Sequence, residues 1–150
     1  MLYFALNVVG GTPYDYAETQ ARHEKHLEMI RSILDGLNDD DFKVMVLLAH
    51  ADPDRGSHHK VFFKTFLGIV KELGKPCVHF HGDSHKYYED EGRDDIDNYM
   101  RISLDGKSTA PPLRVEIDVR RNNPIKVSRR RSDLKVDCCR HGWPRHDDEL

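Results

Sequence analysis

Histidine is the residue type that stands out. There are ten in 150 residues, each able to titrate near neutrality or to ligate a metal. Two stretches gather them with carboxylates. The first follows the apolar run Lys43–Ala49 and holds His50, Asp52, Asp54, His58 and His59; the second reads His79-Phe80-His81-Gly82-Asp83-Ser84-His85. Neutral imidazoles beside a carboxylate oxygen are borderline ligands that suit zinc, iron or manganese. Gly82 lets the backbone turn sharply, so residues on either side can face one centre. Either loop alone reads as an ordinary polar surface loop. Both loops at the ends of neighbouring strands, in this order, point to a metal site, with His50 facing the 81–85 turn across roughly 5 Å. His79 is expected on the face opposite His81, as a packed histidine. His58 and His59 are expected to begin a helix, where capping or exposure accounts for them. His23 and His26 are expected on the solvated face of a charged helix.

The three cysteines cannot complete a disulfide framework. Cys77 sits in an apolar run and reads as an inert core thiol. Cys138 and Cys139 are adjacent, with His141 following. A zinc role for that pair lacks the usual two-residue spacer between ligands.

These groups need elements to hold them. Leu2–Val9 is β-rich and apolar, and reads as a buried strand beginning almost at residue one. The Gly-Gly-Thr-Pro stretch then breaks it, with Thr12-Pro13 expected to open a helix over Tyr14–Leu37. Ala17, Ala21, Leu27, Ile30, Leu34 and Leu37 form its apolar face. Lys43–Ala49 is continuous enough for a strand covered on both sides. A second helix is expected over His59–Leu73, with Val61, Phe62, Phe66, Leu67, Val70 and Leu73 on one side. Gly74 ends it, and Cys77–His81 is the third strand.

That order predicts an α/β fold, a layered βαβαβ unit with right-handed crossovers. Residues 86–95 then read as an acidic loop. Tyr99–Leu104 and Leu113–Val119 read as an antiparallel strand pair, possible at the sheet edge. The chain divides into 1–119 and a basic-then-acidic tail, 120–150, expected to be partly disordered. With 23 Lys and Arg against 26 Asp and Glu, the net charge of −3 gives no bulk attraction to nucleic acid or to an anionic membrane. No apolar run approaches the roughly 20 residues that span a bilayer. The first ten residues lack the basic start and small-residue cleavage site of a signal peptide.

Three motifs together carry a resemblance: Tyr3-Phe-Ala-Leu-Asn-Val-Val-Gly10, Ala51-Asp52-Pro53 and His81-Gly-Asp-Ser-His85 with Tyr87 and Tyr88 behind it. Over residues 2–119 the chain resembles the C-terminal half of the calcineurin-like metallophosphoesterases. The resemblance implies half of a four-layer α/β sandwich and hydrolysis of phosphomonoesters or phosphodiesters by a metal-bound hydroxide. It also implies His50, Asp83 and His85 as metal ligands, with Fe, Zn or Mn as the divalent ion. Asp83 stands where the family usually has histidine, which gives the site harder character. His81, just before the turn, is the catalytic candidate, assisting the leaving group or supporting a ligand. The family's first half supplies further turns bearing Asp, His and Asn, including the aspartate that bridges two metals. None of these precedes His50, so a dinuclear centre is expected only if that half is supplied. A truncated product, a partial gene or one part of a split enzyme would each explain the pattern.

Two other classes compete with this reading. One is a non-catalytic α/β interaction domain, whose Leu2–Val9 strand would be an open edge pairing with an N-terminal-half partner or a second copy. The other is nucleic-acid binding through Arg120-Arg121 and Arg129-Arg130-Arg131, a weaker reading because no aromatic stacking pattern accompanies them. The closing Asp147-Asp-Glu-Leu150 imperfectly resembles an endoplasmic-reticulum retrieval signal. Localisation therefore stays between the cytoplasm and the lumen of that compartment.

Overall fold

The structure, a computed structural model, describes residues 1–93, 96–106, 112–121 and 124–129. Its elements are β1 (Leu2–Leu6), α1 (Tyr16–Asp35), β2 (Met45–Ala49), α2 (Lys60–Leu73, entered through a 3-10 turn at Ser57–His59), β3 (Cys77–His81), β4 (Tyr88–Arg93), β5 (Ile96–Ser103), β6 (Leu113–Ile117) and β7 (Ile125–Arg129). A five-stranded sheet runs β1-β2-β3-β5-β4, and β6 pairs with β7 in a separate hairpin. The pairs β1–β2, β2–β3 and β3–β5 are parallel; β4 is antiparallel to β5. The mixed, layered α/β fold expected from the sequence is the one observed.

Strand alternation divides the core in two. Phe4, Leu6, Met45, Leu47, Ala49 and Cys77 face the helices and meet Leu27 and Ile30 of α1 and Phe62, Phe63, Phe66 and Val70 of α2. Val44, Val46, Val78 and Ile102 face the other way and are covered by Leu113, Ile117, Ile125 and Val127 of the β6–β7 hairpin. The hairpin does not reach the β1 side. Tyr3 remains 55% exposed and Leu48 43%, beside a β1 edge that among the described residues has a partner on one side only.

Several local expectations are corrected. Asp15, not Thr12, caps α1: its carboxylate accepts the Glu18 N–H at 3.0 Å. The buried stripe of α1 begins with Thr19 and His23, while Ala17 and Ala21 face solvent. Val61 is 67% exposed rather than part of the α2 core face. Residues 88–93 are not a loop but an edge strand, a place where charged side chains are favoured because they discourage further pairing. The strands expected to pair with each other are in different sheets: the 99–104 stretch belongs to β5 and lies between β3 and β4, and β6 takes its partner from the 120–150 stretch. Cys138, Cys139, His141, Arg130, Arg131 and residues 147–150 lie outside the described residues.

Gly74 closes α2 with a φ of 65°, its N–H bonding back to Val70 O; a left-handed conformation there suits glycine. Among the described residues no helix is long and apolar enough to cross a membrane.

Candidate functional site

The carboxyl ends of β1, β2 and β3 lie side by side, the position at which open α/β sheets carry their functional groups. Backbone bonds tie the three ends together. Ala51 N–H donates to Val8 O at 2.9 Å, and the Gly82 and Asp83 N–H groups both donate to His50 O, at 3.3 and 3.1 Å. Gly10 is the centre of this junction. Its N–H donates to His50 Nδ1 at 3.0 Å, and the Asp83 carboxylate fills the space a side chain would take. A Cβ on Gly10 would stand 2.3 Å from Asp83 Cγ and Oδ1. The sequence therefore brings His50 and Asp83 to one place, as expected.

His85 is not part of that group. Its backbone adopts a φ of 54°, its side chain is exposed, and its Cβ lies 2.6 Å from where a Cβ on Gly106 would be. Among the described residues, no three His, Cys, Asp or Glu side chains converge on a point where they could hold one metal ion. His50 also carries the wrong tautomer for ligation through Nε2. Because Nδ1 accepts from Gly10 N–H, the proton of neutral His50 sits on Nε2. A metal-bound imidazole normally donates from the nitrogen that does not face the metal. The donors in the described residues thus do not, as placed, make a metal cage.

A buried polar network adjoins the junction. Asp52, 4% exposed, accepts from Tyr88 Oη–H at 3.1 Å and from Arg101 Nη1 at 3.2 Å. Arg101 also reaches Asp54 at 2.6 Å and Asp90 at 2.7 Å, and its guanidinium lies over the Tyr88 ring. Burial works against the Arg101 charge, but its bonds to Asp54 and Asp90 outweigh that and hold it above its usual range. Tyr88 Oη is 3.2 Å from His81 Nε2. Tyr88 gives its only proton to Asp52, so His81 donates from Nε2, and the chain runs His81 to Tyr88 to Asp52. The other His81 nitrogen, Nδ1, is buried with no hydrogen-bond partner. Burial, with help from Arg101, depresses the His81 pKa below its usual value against the opposing pull of Asp52. Its resting state is a neutral imidazole with an open Nδ1 lone pair.

His79 and His81 share a face, contrary to expectation. Side chains two apart on a strand point the same way, and these two rings lie 5.2 Å apart between centroids. His79 is the packed histidine expected. Its Nε2 faces Ala49 O at 3.4 Å, and its Nδ1 faces Tyr99 Oη at 2.9 Å. A carbonyl only accepts, so Nε2 carries the proton and Tyr99 donates to Nδ1. His23 and His59 are also buried, 3% and 1% exposed, not solvated.

Sequence reading did not find Gly10, Tyr88 or Arg101 as site residues. Tyr88 and Arg101 lie on β4 and β5, whose pairing brings Asp90 opposite Arg101. Nothing local in the chain announces that register. The two cavities of about 240 and 300 Å³ are elsewhere, one on the β6–β7 hairpin and one by Pro76, Cys77 and Tyr99, at the opposite end of β3.

One substitution tests the junction directly. Gly10→Ala is expected to turn the Asp83 carboxylate out of its gap and break its 3.4 Å contact with Asp52 N–H. Because a mobile carboxylate yields more easily than backbone, global stability should change by no more than about 1 kcal/mol. A shift of the Asp52 amide resonance with an almost unchanged urea midpoint is the expected pair of readings.

The chain matches no known protein family, no curated protein and no solved structure.

Proposed function

We propose that the chain is the C-terminal half of a metal-dependent phosphoester hydrolase. The observation that supports this most is the joining of His50 and Asp83 around Gly10, at the carboxyl ends of neighbouring parallel strands. The motifs at those ends are the ones through which the sequence resembles the calcineurin-like metallophosphoesterases. His81 supports the reading further, being a neutral imidazole with Nδ1 unpartnered and Nε2 held by Tyr88. On this reading Asp83 is the ligand ready for use, and His81 assists the leaving group or supports a ligand. His50 must exchange its tautomer and give up Gly10 N–H, and His85 must swing in from the Gly106 side. The remaining donors come from a complementary half, for which the open β1 edge, with exposed Tyr3 and Leu48, is the docking side.

The test is ion binding by the purified chain, followed by turnover. Manganese or zinc is expected to bind the chain alone, and bis-p-nitrophenyl phosphate or p-nitrophenyl phosphate to be hydrolysed only when the ion and a complementary half are both supplied. Asp83→Asn should weaken ion binding by about 10- to 100-fold, the usual effect of disturbing a metal's surroundings. A chain that binds neither ion overturns the proposal. The reading left would be a non-catalytic α/β interaction module, for which the β1 edge is the supporting feature.

A further inference from the structure

Four imidazoles gather where α1 crosses the start of α2, adjoining the strand-end junction on its Val9 side. His23 and His26 come from α1, and His58 and His59 from the 3-10 turn. The His23 and His59 ring centroids are 5.3 Å apart and those of His58 and His59 3.9 Å. Phe62 flanks the group, 5.1 Å from His23 and 6.5 Å from His26. Among the described residues, five ring nitrogens here are buried without a partner in good hydrogen-bond geometry: Nδ1 of His23 and His26, Nε2 of His58, and both nitrogens of His59, one of which faces the Val9 carbonyl. Buried polar atoms are normally satisfied, so five in one cluster call for an explanation. Packing does not supply one, because phenylalanines already fill the adjoining positions. A metal cage does not either, since no three of the described donors converge.

The cluster sits on the tie between the two helices. Gln20 Nε2 donates to His58 O at 2.8 Å, and Tyr16 meets the His58 ring edge-on. The charged groups around it leave a bare imidazolium poorly compensated. From α1, Arg22 disfavours a proton on His23 and on His26, while Glu18 is engaged by Arg22 at 2.7 Å. From the turn, His58 and His59 disfavour a proton on His23. His59 has favourable neighbours, Asp83 from the β3 turn and the Val9 carbonyl after β1, but burial and His58 outweigh them.

We propose that this cluster is a proton-operated latch: neutral imidazoles let α1 close on the start of α2, and protonation of His23 and His59 drives α1 away. The Val9 carbonyl lies beside His59, and the next residue, Gly10, seats Asp83. Opening therefore also loosens the strand-end junction, whatever chemistry that junction performs.

Amide hydrogen exchange of the full chain, corrected for intrinsic rates, tests the latch. Burial and the neighbouring cations bring the closed-state pKa of His23 down to about 4. With an ordinary 6.5 in the open state, His23 alone raises the open population about 30-fold between pH 7.5 and pH 5. Exchange in residues 16–27 should accelerate by at least that factor while β3 stays protected, and the double variant His23→Phe, His59→Phe should abolish the response. Imidazole titrations of the unsubstituted chain by NMR give an independent reading should the variant fail to fold, with His23 expected near 4. No acceleration at pH 5, a response that persists in the double variant, or a His23 that titrates near 6.5 would each overturn the latch.

Discussion

Unfolding free energy is expected to drop by several kcal/mol as the pH is lowered from 7 to 4, with His79 and His23 the main causes. His79 is completely buried, and its surroundings are made for the neutral ring: Ala49 O takes the proton on Nε2, and Tyr99 donates to Nδ1. A second proton would have to displace the Tyr99 donor. Burial, then the nearby His81, depress the pKa to about 3. The sign follows directly. Below pH 6.5 the unfolded chain takes up a proton that the folded chain refuses, so protonation favours unfolding. The stabilisation is fully present above pH 6.5, falls as pH drops towards 3, and is gone below that. It amounts to on the order of 5 kcal/mol in all, about 3 kcal/mol of it above pH 4, with His23 adding about 3 kcal/mol over the narrower window from 6.5 to 4. Domains of this size have about 5–15 kcal/mol in total, so the chain should be close to unfolding at pH 4. Urea midpoints by circular dichroism at pH 7, 5 and 4 check this. In His79→Leu the pH slope should flatten, at a cost near pH 7 of about 1–3 kcal/mol for losing the bonds to the Tyr99 hydroxyl and the Ala49 carbonyl. A midpoint that stays constant from pH 7 to 4 would refute the assignment.

Arg101→Met is expected to destabilise the chain by about 3 kcal/mol at pH 7, the size expected when a buried ion pair loses one partner. Among the described residues Arg101, with a side chain 11% exposed, is the closer of two cations on Asp52, whose own side chain is 5% exposed; Arg55 Nε stands 3.9 Å from its other oxygen on a largely exposed side chain. The methionine fills a similar volume, so the loss is one of charge rather than of packing. Asp54 and Asp90 are roughly half exposed and can turn to solvent. Asp52 cannot, because Tyr88 and its own bond to Asp54 N–H hold it. Adding Asp52→Asn should recover about half of the loss, since the remaining side chain is neutral yet can still accept from Tyr88. Chemical unfolding of the two variants supplies the measurement. If the double variant is no more stable than Arg101→Met alone, the Asp52 charge, left with only the exposed Arg55 at 3.9 Å, is not the cause.

Much of the site's framework was legible along the chain because it depends on short-range pattern. The apolar run 43–49, the amphipathic 60–73 segment and its Gly74 stop each define an element within a few residues. The order of those elements places His50 and the 81–85 turn at adjacent strand ends. Gly82 marks the turn, and Asp83 follows it into the junction. Residues 88–93 were unreadable for a physical reason: an acidic edge strand has one solvated side and needs no apolar alternation, so its composition looks like a loop.

By itself, then, the sequence determined the α/β architecture, the parallel order of β1, β2 and β3, and the meeting of His50 with Asp83, because periodicity and connection rules act locally and leave few topologies open. The tertiary structure alone decided which nitrogen of each histidine is free, that Asp52 is neutralised by Arg101, that Asp83 occupies the space beside Gly10, and that four imidazoles meet between two helices. Those outcomes depend on the registers and crossings that bring residues tens of positions apart within hydrogen-bonding distance. Nothing in local composition specifies such distances, since they arise only when the whole core packs.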